Sequence, residues 1–371
     1  MKYYVIAGEP SGDLHAANLI RSLKKCDDNA EFRAWGGDEM MDEGAVIVRH
    51  IRDLAFMGFV EVLANIRTIS RNLRLCKDDL TEFQPDVLIL VDYPGFNLRI
   101  AEYAKKHNFR VFYYISPQVW AWKKNRVKKI RRFVDKMFVI LPFEEEFYKQ
   151  HNVPVFYGGN PVMDEVEQFR KSADRTEIES DREIIALLPG SRSQEIKKML
   201  PVMAALAVKY PQYVFIIAGV EHQRELYHPF LEIAENLRIV FGKTYRLLNS
   251  STAAIVTSGT ATLETAVFGV PQVVCYAGSV ISVTIARRLI KIPYISLVNL
   301  ILDKPAVKEL IQSQLKIDNL HREFGKILPG TDTRREIVSS YSQLKEMLGG
   351  AGASERIANE MWSLLSKNNT K

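Results

Sequence analysis

The feature that most constrains this chain is a regular alternation of short apolar runs with stretches at helical spacing. Residues 3–7, 87–91, 111–115 and 136–141 read as strands, and 14–25, 98–107 and 123–133 as amphipathic helices between them. Runs that are apolar throughout belong to strands covered on both faces, and an intervening helix is the crossover that a parallel sheet requires. The pattern stops at 170–183, which is charged and lacks apolar periodicity, and then restarts. Strands are expected at 183–188, 214–219, 253–257 and 270–276, and helices at 196–210 and 262–268. At 371 residues the chain is longer than one typical core. The expected fold is therefore α/β: two Rossmann-like doubly wound domains, 1–170 and 184–350, with an interdomain cleft. Residues 351–371 are expected as a final helix and tail.

Composition narrows the function classes. At 47% hydrophobic and 25% charged, the chain has the balance of a water-soluble globular protein. Its net charge of +6 favours an anionic partner without choosing among nucleic acid, phosphorylated substrate and acidic lipid. Three cysteines far apart, Cys26, Cys76 and Cys275, argue against a disulfide framework and for a reducing compartment. Met1-Lys2 precedes only five apolar residues before Gly8, too short a run for a secretory signal. No apolar run approaches the roughly 18 residues of a membrane span, so membrane contact is expected to be peripheral.

Three strand–helix junctions are rich in small residues: Gly8-Glu9-Pro10-Ser11-Gly12-Asp13, Pro189-Gly190-Ser191-Arg192-Ser193-Gln194-Glu195 and Ser258-Gly259-Thr260-Ala261-Thr262-Leu263-Glu264. Glycine admits a close ligand, and free N–H groups at a helix start favour phosphate oxygens. Ser191 and Arg192 add a hydroxyl and a guanidinium suited to a diphosphate. Such loops also carry glycines and caps for purely structural reasons, but two in the second half, one with an arginine, point there. Neither a Walker loop nor Gly-x-Gly-x-x-Gly is present, which disfavours ATPases and dinucleotide enzymes.

Asp92 ends an apolar strand, where an open α/β sheet places its chemistry. Partial desolvation there raises a carboxylate's proton affinity and suits a general base. The competing reading is an Asx-turn or helix cap, since Pro94 and Gly95 follow. Glu9 is the second candidate, against a solvated loop carboxylate. The segment Leu54-Ala55-Phe56-Met57-Gly58-Phe59-Val60-Glu61-Val62-Leu63 is followed by Arg67, Arg71 and Arg74 at helical spacing. Met57, Phe59, Val60 and Leu63 suit a bilayer surface or an acyl chain, or else a helix packed on the sheet. Gln118, Trp120 and Trp122 precede seven Lys or Arg residues in 123–132, starting with Lys123 and including Arg126. That run is either a solvated helix face or part of a site for an anionic, partly apolar molecule. The histidines are scattered and no Asp-x-Asp triplet occurs, so no metal site and no cofactor are expected.

Together these motifs resemble the lipid-A-disaccharide synthase family. The resemblance runs from Val5 to about Gln312. It rests on Ala7 to Asp13, Met57 to Leu63, Val91-Asp92-Tyr93-Pro94-Gly95-Phe96-Asn97, Ser116 to Trp122, Leu141 to Glu144, Leu188 to Arg192, Ser258 to Glu264, and Tyr294-Ile295-Ser296-Leu297-Val298-Asn299. It implies an inverting, metal-independent glycosyltransferase of GT-B architecture. Such an enzyme joins UDP-2,3-diacylglucosamine to 2,3-diacylglucosamine 1-phosphate through a β-1,6 bond and releases UDP. It implies Asp92 as the base, and Gly190, Ser191, Arg192, Ser258, Gly259, Thr260, Glu264 and Asn299 as residues of the nucleotide-sugar site. The UDP-sugar is a substrate, and the location implied is cytoplasmic, peripheral on the inner face of the inner membrane. Many relatives carry Asp where Gly95 stands, and often Gly-His-Pro where this chain has Gly159-Asn160-Pro161. The main alternative is a UDP-sugar epimerase of the same fold. A nucleic-acid module is disfavoured for want of a binding motif, and a homodimer is left open.

Overall fold

Two parallel sheets organise the computed structural model, which describes residues 1–53, 66–117, 124–278 and 293–367. The first holds seven strands: β1 (Lys2–Ala7), β2 (Glu31–Gly36), β3 (Val46–His50), β4 (Val87–Val91), β5 (Val111–Tyr114), β6 (Lys136–Val139) and β7 (Val155–Tyr157). Their spatial order is β3-β2-β1-β4-β5-β6-β7. The second holds six: β8 (Ile184–Leu188), β9 (Val214–Gly219), β10 (Leu237–Phe241), β11 (Ser251–Thr257), β12 (Gln272–Tyr276) and β13 (Lys308–Ile311), in the order β10-β9-β8-β11-β12-β13. Every strand pair is parallel. All of β4 and of β8 is buried, as strands with helices on both faces must be. The α/β doubly wound expectation is thus met in both halves.

Several helices begin earlier than apolar spacing indicates. The first helix spans Pro10–Lys24 and the one after β4 spans Pro94–Lys106, each with proline in its first turn. Proline's fixed φ suits that position, and its missing N–H would have had no partner there. An apolar pattern starts counting only at Leu14 and Leu98, one turn late.

The chain divides into residues 1–161 with everything from Ala351 on, and Val162–Gly350. This differs from the expected boundaries in two ways. The helix Pro161–Lys171 and the segment after it pack with the second unit. The Phe169 ring meets those of Tyr245 and Phe268 edge-on at 5.8 and 5.6 Å, and the Ile178 N–H donates to Ser250 Oγ at 2.8 Å. The charged 170–183 stretch is therefore a strap on one core rather than the join between two. The final helix, Ala353–Ser366, is not a separate tail. Its Ile357, Ala358, Met361 and Leu365 are buried in the first core beside Ala16, Leu19 and Leu23. Burial of each large side chain contributes about 1.5–3 kcal/mol. Arg356 Nε donates to Gly158 O at 2.7 Å, and any side chain at Gly158 would collide with Ile357.

Candidate active site

Strand order reverses between β1 and β4 in the first sheet and between β8 and β11 in the second. Crevices outside the carboxyl ends of strands at such reversals are where open α/β sheets bind ligands. Glu9, Ser11 and Asp92 follow the strand ends at the first, and Gly190, Ser191, Arg192, Ser258, Gly259 and Thr260 those at the second.

In the first unit Ala7 pairs with Val91, so Glu9 and Asp92, far apart in sequence, leave neighbouring strand ends. Gly8 lies under the Tyr93 ring, and a Cβ at Gly8 would fall 2.4 Å from it. That ring in turn stacks on Phe96 at 5.6 Å. Burial, with the Glu9 carboxylate nearby, raises the Tyr93 hydroxyl above its usual range. Asp92 and Tyr93 both take left-handed backbone conformations, φ 42° and 47°. Two adjacent non-glycine residues there are uncommon, and such strain concentrates at functional sites. The Phe96 and Asn97 N–H groups donate to Tyr93 O at 3.3 and 3.0 Å. Ser11 is exposed in the first turn of its helix.

Part of the first small-residue motif is structural. Asp13, nearly fully buried, accepts from the N–H groups of Gly37 at 2.7 Å, Glu39 at 3.1 Å and Met40 at 3.4 Å. It caps the short helix Asp38–Asp42 from a neighbouring element. The basic run also divides. In the helix Lys124–Phe133, Val127, Ile130 and Phe133 are buried while Lys128, Lys129, Arg131 and Arg132 are exposed. Arg126 is half-buried and its charge acts on Tyr113. Arg67, Arg71 and Arg74 are exposed on the helix Ile66–Phe83, whose Cys76 and Leu80 are buried. Met57, Phe59, Val60, Leu63, Gln118, Trp120, Trp122 and Lys123 lie outside the described residues.

In the second unit, Gly190 has φ +98°, and a side chain there would strike the Glu195 carboxylate. Glu195 accepts from the Arg192 N–H at 3.4 Å and lies 3.7 Å from its guanidinium. Arg192 precedes the helix Ser193–Lys209, and its side chain is 56% exposed, so it can still reach a ligand. Ser191, Gly259 and Thr260 are exposed, the last two at the start of the helix Thr260–Phe268. Ser258 Oγ donates to Ile295 O at 2.9 Å, tying that helix start to the 294–296 turn. Glu264 is half-buried and, with Glu165, shares the Tyr245 hydroxyl, at 3.1 and 2.9 Å. Burial and the two carboxylates push Tyr245 well above its usual range.

Asn299 differs from its expected role. It is 1% exposed, and its amide nitrogen donates to Val307 O at 2.9 Å and Glu309 Oε1 at 3.0 Å. Its amide oxygen accepts from the Val307 N–H at 2.9 Å. A side chain so engaged shapes the loop rather than contacting a ligand. Glu309, half-buried on β13, is the hub. It accepts from the N–H groups of Ile295 and Ser296, at 3.1 and 2.9 Å, and from Ser296 Oγ at 2.8 Å. Sequence reasoning missed Glu309, Tyr245 and Glu165, because nothing local marks a carboxylate or phenol whose partners lie tens of residues away. Among the described residues no group of three or more His, Cys, Asp or Glu is disposed to hold a metal ion.

The fold defines a class, the GT-B-like α/β proteins. A UDP-GlcNAc 2-epimerase from Neisseria meningitidis, solved with UDP-GlcNAc, superposes with TM-score 0.71 at 15% identity, over 98% of this chain and 100% of that one. S. aureus MnaA, in a co-structure with UDP, gives 0.72 at 12% identity, over 98% and 97%. The glycotransferase of kitacinnamycin gives 0.66 at 13%, over 97% and 98%. Likeness at such identity concerns the fold alone. Sequence resolves the class further. Residues 3–358 match the family model described as lipid-A-disaccharide synthetase. The lipid-A-disaccharide synthases of Syntrophus aciditrophicus and Trichlorobacter lovleyi are 38% and 36% identical, each over 98% of this chain and 97% of theirs. That of Coxiella burnetii is 34% identical over 97% and 98%. The chain belongs to the lipid-A-disaccharide synthase family and is a glycosyltransferase.

Proposed function

We propose that the chain transfers 2,3-diacylglucosamine from its UDP donor to the 6-hydroxyl of 2,3-diacylglucosamine 1-phosphate, with Asp92 as the general base. The observation that carries this reading is Asp92 at the reversal point of the first sheet, in a conformation that is costly to maintain. The Asp92 carboxylate takes the hydroxyl proton as the oxygen attacks the anomeric carbon from the face opposite UDP. The bond from that carbon to the diphosphate breaks, its electron pair leaves with UDP, and the configuration inverts to β. Glu9 lends a second negative charge at the acceptor's edge of the site, with Ser11 beside it.

The charge that gathers on departing UDP is met by Arg192, Ser191 and the open helix starts at Ser193 and Thr260, which supports a step needing no metal or cofactor. Glu264 lies one helical turn beyond Thr260, suited to the ribose hydroxyls. Gly259, where a Cβ would meet open space, leaves the backbone uncovered beside the diphosphate, while Gly190 makes the turn that brings Arg192 there and Asn299 acts through the turn it holds.

Both substrates carry acyl chains, so the enzyme meets them at a bilayer. No helix among the described residues is long and apolar enough to cross a membrane. Peripheral attachment to the inner face of the inner membrane, through Met57, Phe59, Val60 and Leu63 with a basic rim of Arg67, Arg71, Arg74 and the 123–132 run, fits this need. The epimerase alternative rests on the fold alone.

Asp92→Asn keeps shape and removes basicity. With the fold intact and UDP still bound, turnover to the disaccharide, followed by mass spectrometry of the products, is expected to fall by roughly 10²–10⁴-fold. Near-normal turnover would refute the assignment.

A further inference from the structure

We propose that Tyr113 is a positioning residue for Asp92: from the neighbouring strand, its buried hydroxyl grips the Asp92 backbone carbonyl and fixes the direction of the carboxylate. The inference rests on the reading of Asp92 as the base.

Strand β5 runs beside β4, with Leu90 opposite Tyr113 and Val91 opposite Tyr114. Tyr113 is 0% exposed, and its hydroxyl donates to Asp92 O at 2.5 Å. Asn97 Nδ2 donates to the same oxygen at 2.7 Å. A carbonyl oxygen has two lone pairs, and here both are taken. On the other side of the residue, the Asp92 N–H donates to Tyr114 O at 3.2 Å. Both peptide planes flanking the Asp92 α-carbon are therefore held from outside. With φ fixed at 42° the Cβ has one direction, and the carboxylate keeps only its own side-chain torsions.

The carbonyl can only accept, so the phenol must donate, and it must keep its proton to do so. Burial, with Asp92 and Tyr148 nearby, raises the Tyr113 hydroxyl well above its usual range, against a smaller opposing effect of Arg126 and Asn97. The grip thus persists at any pH at which a carboxylate base works. An Asp left to itself relaxes to negative φ, which swings Cβ, and the carboxylate with it, to a different direction. Misplacement of a catalytic group by about 1 Å costs on the order of 10²-fold in rate.

The test is a double-mutant cycle on kcat and KM with both acylated sugars. Tyr113→Phe keeps the ring and deletes the donor. It is expected to lower kcat roughly 10- to 100-fold, leaving KM for the UDP-sugar within about twofold. In the Asp92→Asn background the same change is expected to cost less than about twofold, because no base is left to position. An unchanged kcat for Tyr113→Phe, or an equal loss in both backgrounds, overturns the proposal while leaving Asp92 as the base. Near-normal turnover of Asp92→Asn alone overturns the base assignment, and this inference with it. A thermal melt accompanies each variant. If Tyr113→Phe does not fold, Tyr113→Met, which also lacks the donor and fills the site with a more adaptable side chain, carries the cycle with the same expected pattern.

Discussion

Replacement of Glu309 by Gln is expected to loosen the nucleotide side of the site from a distance. The Glu309 carboxylate accepts from Ile295 N, Ser296 N, Ser296 Oγ and Asn299 Nδ2. The Ile295 N–H reaches both carboxylate oxygens, at 3.2 and 3.1 Å; glutamine keeps the first as an acceptor but turns an NH₂ toward that N–H, so the shared bond is weakened and two donors face each other. The others change from charge-assisted to neutral, a difference of about 1 kcal/mol per bond. Glu309 is half-buried, so water replaces part of the loss, leaving about 2–4 kcal/mol. For a unit of this size each kcal/mol moves the melting midpoint by about 2–4 °C, which predicts a fall of roughly 5–15 °C in the transition of the second unit. Ser258 at the start of the Thr260–Phe268 helix hangs on Ile295 O of the same turn, so UDP affinity is expected to fall as well. Differential scanning calorimetry with and without UDP reads both quantities. A variant that melts within about 2 °C of the parent and binds UDP equally would show that the hub carries no such strain.

Arg192→Ala is expected to weaken UDP binding by about 1.5–3 kcal/mol in titration calorimetry with little change in melting temperature, since its side chain is largely exposed. Unchanged affinity would remove Arg192 from the diphosphate. Gly95→Asp should raise stability by about 0.5–1 kcal/mol in urea unfolding. A Cβ there meets open space, and an acidic side chain suits the first turn of Pro94–Lys106; a destabilised variant would contradict this. In vesicle flotation, binding is expected to fall as salt rises, and a Phe59→Glu/Val60→Glu variant to bind less at every salt concentration. If that variant melts normally and floats like the parent, the segment is not a membrane contact.

Legibility in the sequence followed burial. The expected strands β1, β4, β5, β6, β8, β9, β11 and β12 are interior to their sheets, and their apolar runs announce them. Of the unannounced strands, β3, β7, β10 and β13 are all edges, where one side stays partly wet and the run breaks up. The other, β2, is interior but carries Arg33, paired with buried Asp79, which disguises its apolar face. The places of Asp92 and Arg192, just past a strand and just before a helix, were legible because strand ends and helix starts leave local marks, whereas Glu264 was picked out by the family resemblance. That Glu9 and Asp92 leave neighbouring strand ends, or that Asn299 turns inward to Glu309, depends on strand order and on partners distant in sequence. The linker was misread for a related reason: its charges signalled solvent, while one aromatic, Phe169, decided which core it joins.

The return of the last helix to the first unit imposes an order on biosynthesis. As the chain leaves the ribosome, residues 1–161 emerge first yet lack the segment that covers Ala16, Leu19 and Leu23. The second unit, continuous from Val162 to Gly350, has all its parts before that segment is made. The half that is synthesised first is therefore the half that matures last, and it carries an open apolar seam throughout translation. A premature stop near Gly350 would spare the second unit and strand the one that bears Asp92.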